Sequence, residues 1–247
     1  MRLDQYLVEE KIAESRVRAK YYIKSGKVQV NGKDVTKPSH DVKIDDEVAC
    51  QTSFTYVARS ALKLAYAFQM WEFNIQGKIC LDVGASTGGF TEIMLRNDAK
   101  KIYALDVGHD QLHEKIKSNP KVQNCEGINI RAIPGNLFSD DNDIEEKIEF
   151  CAIDVSFLSL QNIFPFIGEH LKGGSNVVAL IKPQFEVGPE FVAEKGLVKN
   201  TAAINKSIER VKACAIDNGF SVERVLPVPI KGGKSGNQEY LMWAVKK

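Results

Sequence analysis

Two charged residues stand at the ends of short apolar runs. Asp154 follows Phe150-Cys151-Ala152-Ile153, and Lys182 follows Val177-Val178-Ala179-Leu180-Ile181. Such runs read as buried strands of a parallel sheet, and in an open α/β sheet the C-terminal strand ends face the ligand crevice. A lysine and a carboxylate brought together there could hold or move a proton. Lys63 and Glu239 are two further charges in suggestive surroundings, but each taken alone reads as a surface charge.

A second concentration of chemistry lies in Cys80-Leu81-Asp82-Val83-Gly84-Ala85-Ser86-Thr87-Gly88-Gly89-Phe90, a strand, a glycine-rich loop and a helix start. Gly84 lets the chain leave the strand in a tight turn, and Gly88 and Gly89 keep side chains away from a close ligand or backbone. The spacing is not the G-x-G-x-x-G of dinucleotide loops, and no G-K-[ST] follows as in phosphate-binding loops. What remains is an acid before the loop, Asp82, and a second acid, Asp106, at the tip of the next apolar run. That second position suits a carboxylate accepting ribose hydroxyls. A loop flanked by acids suits a cationic ligand without phosphate, and S-adenosylmethionine fits that description.

The remaining chemistry-bearing residues are less productive. His109 and His113 have helical spacing but no third ligand, so they read as a solvated helix face and no metal is expected. The five cysteines are spread without a C-x-x-C pair, which predicts reduced thiols in a cytoplasmic compartment. Met1-Arg2-Leu3-Asp4 lacks the apolar core of a secretory leader, and no apolar run reaches the length of a membrane span.

The elements that must position these residues follow from patterning. Ile79–Val83, Ile102–Val107, Phe150–Val155 and Val177–Ile181 are apolar runs separated by helix-length segments, which predicts a parallel α/β sheet. Phe220–Pro227 and Glu239–Val245 predict a terminal antiparallel pair. Residues 51–57 read as a linker to a separate unit at 1–50. In that unit Leu3, Tyr6 and Leu7 have helical spacing. Ser15 can cap a second helix, Gly26 ends it, and Val28-Gln29-Val30-Asn31-Gly32 is a strand entering a tight turn. Val42, Ile44 and Val48 supply two further strand segments.

The whole chain balances 33 basic against 32 acidic residues in 247, with 44% hydrophobic and 26% charged, an ordinary globular composition. The balance conceals a local excess. Between Glu14 and Lys37 there are seven basic residues and two acids. Arg16, Lys20 and Lys24 fall on one helix face, and a basic face beside a basic turn is suited to phosphate contacts.

Residues 2–48 resemble the RNA-binding domain named after small-ribosomal-subunit protein four. The shared strings are R-L-D-x-x-L, S-R-x-x-A, I-x-x-G-x-V-x-V-N-G, K-P-S and D-x-V. The resemblance implies structured-RNA binding through the second helix and the following turn, with Arg2, Arg16, Arg18, Lys20, Lys24, Lys27 and Arg59 as contact residues. The rest resembles Rossmann-like class I methyltransferases, and the whole chain is similar to the TlyA (haemolysin A) family. A-S-T-G-G-F-T, D-V-S-F, K-P-Q-F-E and G-N-x-E-Y are the distinctive strings. One departure is Ala58-Arg59-Ser60-Ala61, where the family often carries Ser-Arg-Gly-Gly/Ala. The implied fold is an α/β methyltransferase domain at 58–247 behind a small α+β RNA-binding domain.

The same resemblance implies 2′-O-methylation of cytidine ribose in ribosomal RNA, free or within a ribosomal subunit; the expected compartment is the cytoplasm and the expected state a monomer. The tetrad of FtsJ-type enzymes maps onto Lys63, Asp154, Lys182 and Glu239. The cofactor set maps onto Asp82, Gly84, Ser86, Thr87, Gly88, Gly89, Phe90, Asp106, Val107 and Asp154. Lys182 is the candidate general base; a free lysine is charged at neutral pH, so a role in orienting the hydroxyl and stabilising alkoxide stays open. Three other readings compete. Base methylation lacks both prolines of the amino-methyltransferase loop and a cysteine placed for carbon attack. A non-catalytic assembly factor leaves the intact tetrad without purpose, and a lytic role finds no membrane-inserting segment.

Overall fold

Odd and even residues of the central strands go to opposite faces, as the two-residue period of a strand requires. Leu81 and Val83, Tyr103 and Leu105, Cys151 and Ile153, and Val177, Ala179 and Ile181 belong to one hydrophobic layer. Cys80, Ile102, Phe150, Ala152, Val178 and Leu180 belong to the other, together with Ala61, Leu64 and Ala67 of a long helix. Both faces are therefore covered, which explains the unbroken apolar runs.

The computed structural model describes all residues except 11, 14, 15, 44, 51–55, 139–146 and 231–235, and omits the side chains of Val17 and Arg18. The expected roles of Ser15, Arg18 and Ile44 lie outside the described residues. Contacts divide the chain into two units, Met1–Thr55 and Tyr56–Lys247.

The first unit contains α1 (Leu3–Glu9), α2 (Arg16–Lys24), β1 (Val28–Val30), β2 (Lys33–Asp34) and β3 (Val48–Cys50). The strands form an antiparallel sheet in the order β2-β1-β3. Asn31 and Gly32 both take positive φ, 52° and 74°, as a two-residue hairpin turn demands. Val42 is buried but lies outside the strands; its segment joins the unit through an isolated Arg2–Asp41 bridge. Leu3, Leu7, Ala19, Tyr22 and Ile23 meet Val28 and Val30 in a small core.

The second unit runs α3 (Ala61–Trp71), β4 (Ile79–Val83), α4 (Gly89–Arg96), β5 (Lys101–Asp106), α5 (Glu114–Lys117), β6 (Val122–Glu126) and β7 (Ile148–Ile153). It continues with α6 (Phe164–Ile167), β8 (Leu171–Ile181), α7 (Pro183–Glu186), α8 (Thr201–Asp217), β9 (Phe220–Pro227) and β10 (Tyr240–Lys246). The seven strands lie in the order β6-β5-β4-β7-β8-β10-β9. β4 through β8 pair in parallel, and β10 pairs antiparallel with both β8 and β9. The chain starts at the centre with β4, works outward to β6, and returns to the other side of β4 with β7. The crevice between the ends of β4 and β7 is the topological switch point where such sheets bind ligands.

Two expectations need correction. His109 and His113 do not share a helix face: His109 sits in a bend, and His113 is the N-cap of α5, its Nδ1 accepting from the Lys115 amide at 3.1 Å. Tyr56 and Val57, read as linker, belong to the second unit. The Val57 amide donates to Glu92 of α4 at 2.5 Å, and the Arg96 guanidinium lies 4.5 Å above the Tyr56 ring.

In the first unit Asp4 is fully buried, its carboxylate accepting from Arg2 Nε at 2.9 Å and Arg16 Nη2 at 3.1 Å. The Arg2 hydrogen bond is the main cause holding its carboxyl down to about 2, with Arg16 assisting. A depressed carboxyl contributes stability above its unfolded value of about 4 and loses it as pH falls through about 2. Asp4→Asn should therefore cost the first unit about 1–3 kcal/mol at neutral pH. The expected result is faster hydrogen exchange of α1 and α2 amides in the full chain, with the difference from wild type shrinking below pH 4.

Candidate active site

Continuing the strand alternation one step beyond each C-terminus places Asp154 after Ala152 and Lys182 after Leu180, on the face that α3 covers. Tyr240 pairs with Ile181, so Glu239 reaches the same edge beside Lys182 from the antiparallel neighbour. Lys63 comes from the first turn of α3. Three adjacent strands and one helix thus deliver four charges to one place.

The four resolve into two ion pairs. Lys63 Nζ lies 2.5 Å from Glu239 Oε2, and Lys182 Nζ lies 2.6 Å from Asp154 Oδ1. Lys63 and Lys182 are each only 8% exposed, and Glu239 is buried. Each ammonium lies off the line of a directed hydrogen bond to its carboxylate oxygen, so both oxygens keep acceptor capacity despite the close charge. Lys182 makes its directed bond to Ser156 Oγ, at 2.9 Å.

Beside these pairs opens a cleft of about 340 Å³ at the β4–β7 switch point. Of the residues expected at a cofactor, Gly84, Ser86, Asp106, Val107 and Asp154 line it. The Asp106 carboxylate accepts from the Ser86 amide and the Gly108 amide, both at 2.8 Å, which fixes it at the cleft wall. Gly84 (φ 85°) leaves room for the next strand end, because a Cβ there would meet the Asp154 carbonyl oxygen at 2.7 Å.

Asp82, Thr87, Gly88, Gly89 and Phe90 do not line the cleft. Asp82 and Phe90 are buried beneath the loop, and Thr87 is exposed at its tip. Gly88 and Gly89 make room for protein: a Cβ on Gly88 would press Leu112 and Ile116, and one on Gly89 would collide with Ser60. Ser60, in the Ala58–Ala61 stretch, is thus packed against the start of α4.

Several residues escaped sequence reasoning. Gln111, Ile128, Asn129 and Ile130 complete the cleft from segments that carry no motif. Glu186, the last residue of K-P-Q-F-E, accepts from Ser159 Oγ at 2.6 Å and the Leu160 amide at 2.8 Å, pinning the loop after D-V-S-F. Burial pushes its carboxyl up, against those hydrogen bonds. Asn237 accepts from the Val198 amide at 2.9 Å and donates to the Gly196 carbonyl at 2.7 Å, so the Asn of G-N-x-E-Y is a tie between loops. The motifs themselves were the signal; only geometry divides their residues into chemistry and support.

Phe157 is 90% exposed and holds a positive φ of 63°. Its ring lies 5.1 Å from that of Phe185, and it lines the cleft beside Ser156.

An FtsJ-like methyltransferase model matches residues 56–246, and an S4 domain model matches residues 1–48. The chain belongs to the FtsJ-like methyltransferases. Hemolysin A of Brachyspira hyodysenteriae is 40% identical over 241 residues, 98% of each chain. The 23S rRNA (cytidine-2′-O)-methyltransferase TlyA of Campylobacter jejuni is 37% identical over 268 aligned positions, covering 100% of both. A solved structure of a hemolysin-designated protein from Streptococcus thermophilus superposes with a TM-score of 0.74 at 37% identity, covering 100% of this chain and 88% of that one.

FtsJ-like methyltransferases take their methyl group from S-adenosylmethionine, and the cleft fits it. Asp106 presents a carboxylate where ribose hydroxyls would need an acceptor, and Val107, Ile128 and Ile130 offer apolar walls for a planar ring. Beneath them Asp82 Oδ1 is buried without a hydrogen-bond partner among the described residues, while Oδ2 accepts from Thr91 Oγ1 at 2.6 Å. A buried carboxylate favours a cation nearby. Among the described residues no cluster could hold a metal ion.

Burial is the main cause that pushes the Asp82 carboxyl up to about 7, with Asp154 and Asp106 adding to it and the Thr91 hydrogen bond opposing. For a raised carboxyl the contribution to stability is full below the unfolded value of about 4 and is lost as pH rises through about 7. Unliganded wild type should lose melting temperature between about pH 4 and 7 relative to Asp82→Asn, in which this slope is absent. Parallel melting curves across that window check it.

Proposed function

We propose that this chain transfers the methyl group of S-adenosylmethionine to the 2′-hydroxyl of a cytidine ribose in ribosomal RNA. The observation that carries the reading is the two buried lysine–carboxylate bridges, of which Asp154 also lines the cleft. A ribose hydroxyl is a weak nucleophile until its proton departs, and a site that transfers a methyl to it must hold the oxygen and handle that proton. The ribosomal RNA substrate and the cytidine preference are supported by the printed activity of the Campylobacter jejuni relative. RNA docking is supported by the S4 domain.

When bound, S-adenosylmethionine supplies an electrophilic methyl group on a cationic sulfur. Everything else falls to the chain. Gly84, Ser86 and Asp106 shape and bind; Lys182 faces the reacting hydroxyl and takes its proton; Lys63 stabilises negative charge developing on the ribose oxygen. Asp154 and Glu239 hold the two ammonium groups in place, since a lysine in so little water needs a counter-charge. The exposed Phe157, backed by Phe185, offers a ring face on which an unstacked base can lie. Arg16, Lys20 and Lys24 are all exposed on α2 and suit phosphate contacts; Arg16 shares its charge with Asp4. Arg2 is part-exposed in the same bridge, Lys27 is half-buried, and Arg59 is exposed in the second unit.

Base methylation through a cysteine nucleophile is disfavoured by Cys151. Its thiol is wholly buried in β7, and burial raises it well above the ordinary thiol range.

Lys182→Ala should lower transfer of labelled methyl groups to unmodified ribosomal RNA or subunits by about 10²–10⁴-fold. Binding of S-adenosylhomocysteine, measured by calorimetry, should change little. Retention of full transfer by this variant would remove Lys182 from the chemistry.

A further inference from the structure

Methylation of a neutral hydroxyl leaves a proton over. The O2′–H bond breaks as the O2′–methyl bond forms, and that proton must leave a site whose charged groups are nearly shut off from water. Lys182 can take it only after giving up one of its own. The side chains of Lys182 and Asp154 are 10% and 11% exposed. Direct release from either into solvent is therefore restricted.

Ser156 is placed differently. Its Oγ accepts the directed hydrogen bond of Lys182 Nζ at 2.9 Å, and the residue is exposed and lines the cleft. A hydroxyl accepts and donates at once, so it can take a proton on one side and release another on the other. We propose that Ser156 is a positioning residue that aims Lys182 Nζ and passes its surplus proton to solvent water. The sequence of events balances. Lys182 gives one proton to Ser156 Oγ while the Ser156 hydroxyl proton goes to water; the resulting amine then takes the proton of O2′, and the ammonium is restored. The net change in the protein is nil, and one proton has passed from ribose to solvent.

The loop that carries Ser156 is fixed at both ends. The Asp154 amide donates to the Val83 carbonyl at 2.9 Å, and Glu186 holds Ser159 and Leu160. Between them Phe157 turns the chain through positive φ. A serine hydroxyl held at one distance from Lys182 is thus a product of the whole loop. The inference rests on the assignment of Lys182 as the group that receives the ribose proton.

The test compares Ser156→Ala, Ser156→Thr and Lys182→Ala in the full-length protein, with unmethylated ribosomal RNA or subunits as substrate. Single-turnover methyl transfer is followed from pH 6 to 9, and S-adenosylhomocysteine binding by calorimetry. Ser156→Ala is expected to bind S-adenosylhomocysteine within about twofold of wild type, since Ser156 acts through Lys182 and not on the cofactor. It should transfer about 10–100-fold more slowly at neutral pH and regain rate as pH rises, displacing the acid limb of its profile to higher pH. Ser156→Thr keeps the hydroxyl and should restore both rate and limb. Wild-type rate and profile in Ser156→Ala would overturn the inference. So would equal loss in Ser156→Thr together with weakened S-adenosylhomocysteine binding, which would mark a packing role for the loop. An inactive Lys182→Ala beside a fully active Ser156→Ala would sink the relay alone, whereas a fully active Lys182→Ala would sink the underlying assignment.

Discussion

The cost of keeping two ammonium groups almost out of water governs the architecture around the site. An unpaired buried charge costs several kcal/mol, so Lys63 and Lys182 can occupy their positions only beside Glu239 and Asp154. Those carboxylates in turn stand at the ends of different strands, β10 and β7, flanking the β8 strand that Lys182 follows. The return of β10 antiparallel against β8 is what brings Glu239 to the same edge from the opposite chain direction. Strand order, strand direction and side-chain parity must all agree before the two pairs can form.

The same requirement sets the glycine loop. Gly84 lets the β4 end pass within contact of the Asp154 carbonyl, joining the cofactor cleft to the ion pairs across the switch point. Gly88 and Gly89 serve a different end, seating α4 against Leu112, Ile116 and Ser60. Glu92 and Arg96 of the same helix then hold Val57 and Tyr56, where the second unit begins. One short helix therefore connects the chain's entry into the domain with the loop that shapes the cleft.

Much of this was legible in the sequence because burial on both faces writes apolar runs directly. The extent of β4 follows from such a run, and Asp154, Lys182 and Asp106 are visible as polar residues at run ends. β6 escaped because Val-Gln-Asn-Cys-Glu is an edge strand with mixed exposure and no apolar run. In the glycine loop Gly88 and Gly89 make room for neighbouring protein, and a glycine looks the same in sequence whether it admits a ligand or a neighbouring helix. Buried Glu186 and Asn237 lie inside recognisable motifs, yet their hydrogen bonds to loops 26 to 41 residues away in the chain leave no local pattern. Arg2 and Arg16 read as RNA contacts, and nothing in their spacing shows that a buried Asp4 also claims them. The near-neutral total charge likewise averages a basic helix face with acids committed to the cleft and to ion pairs.

The central claim is that two buried lysine–carboxylate pairs beside a cofactor cleft direct a methyl group to ribose oxygen. Mass-spectrometric nucleoside mapping of ribosomal RNA after incubation with this protein and isotopically labelled S-adenosylmethionine tests it most directly. The label should appear on the ribose of cytidine, resistant to removal with the base. Label on the nucleobase would contradict the account.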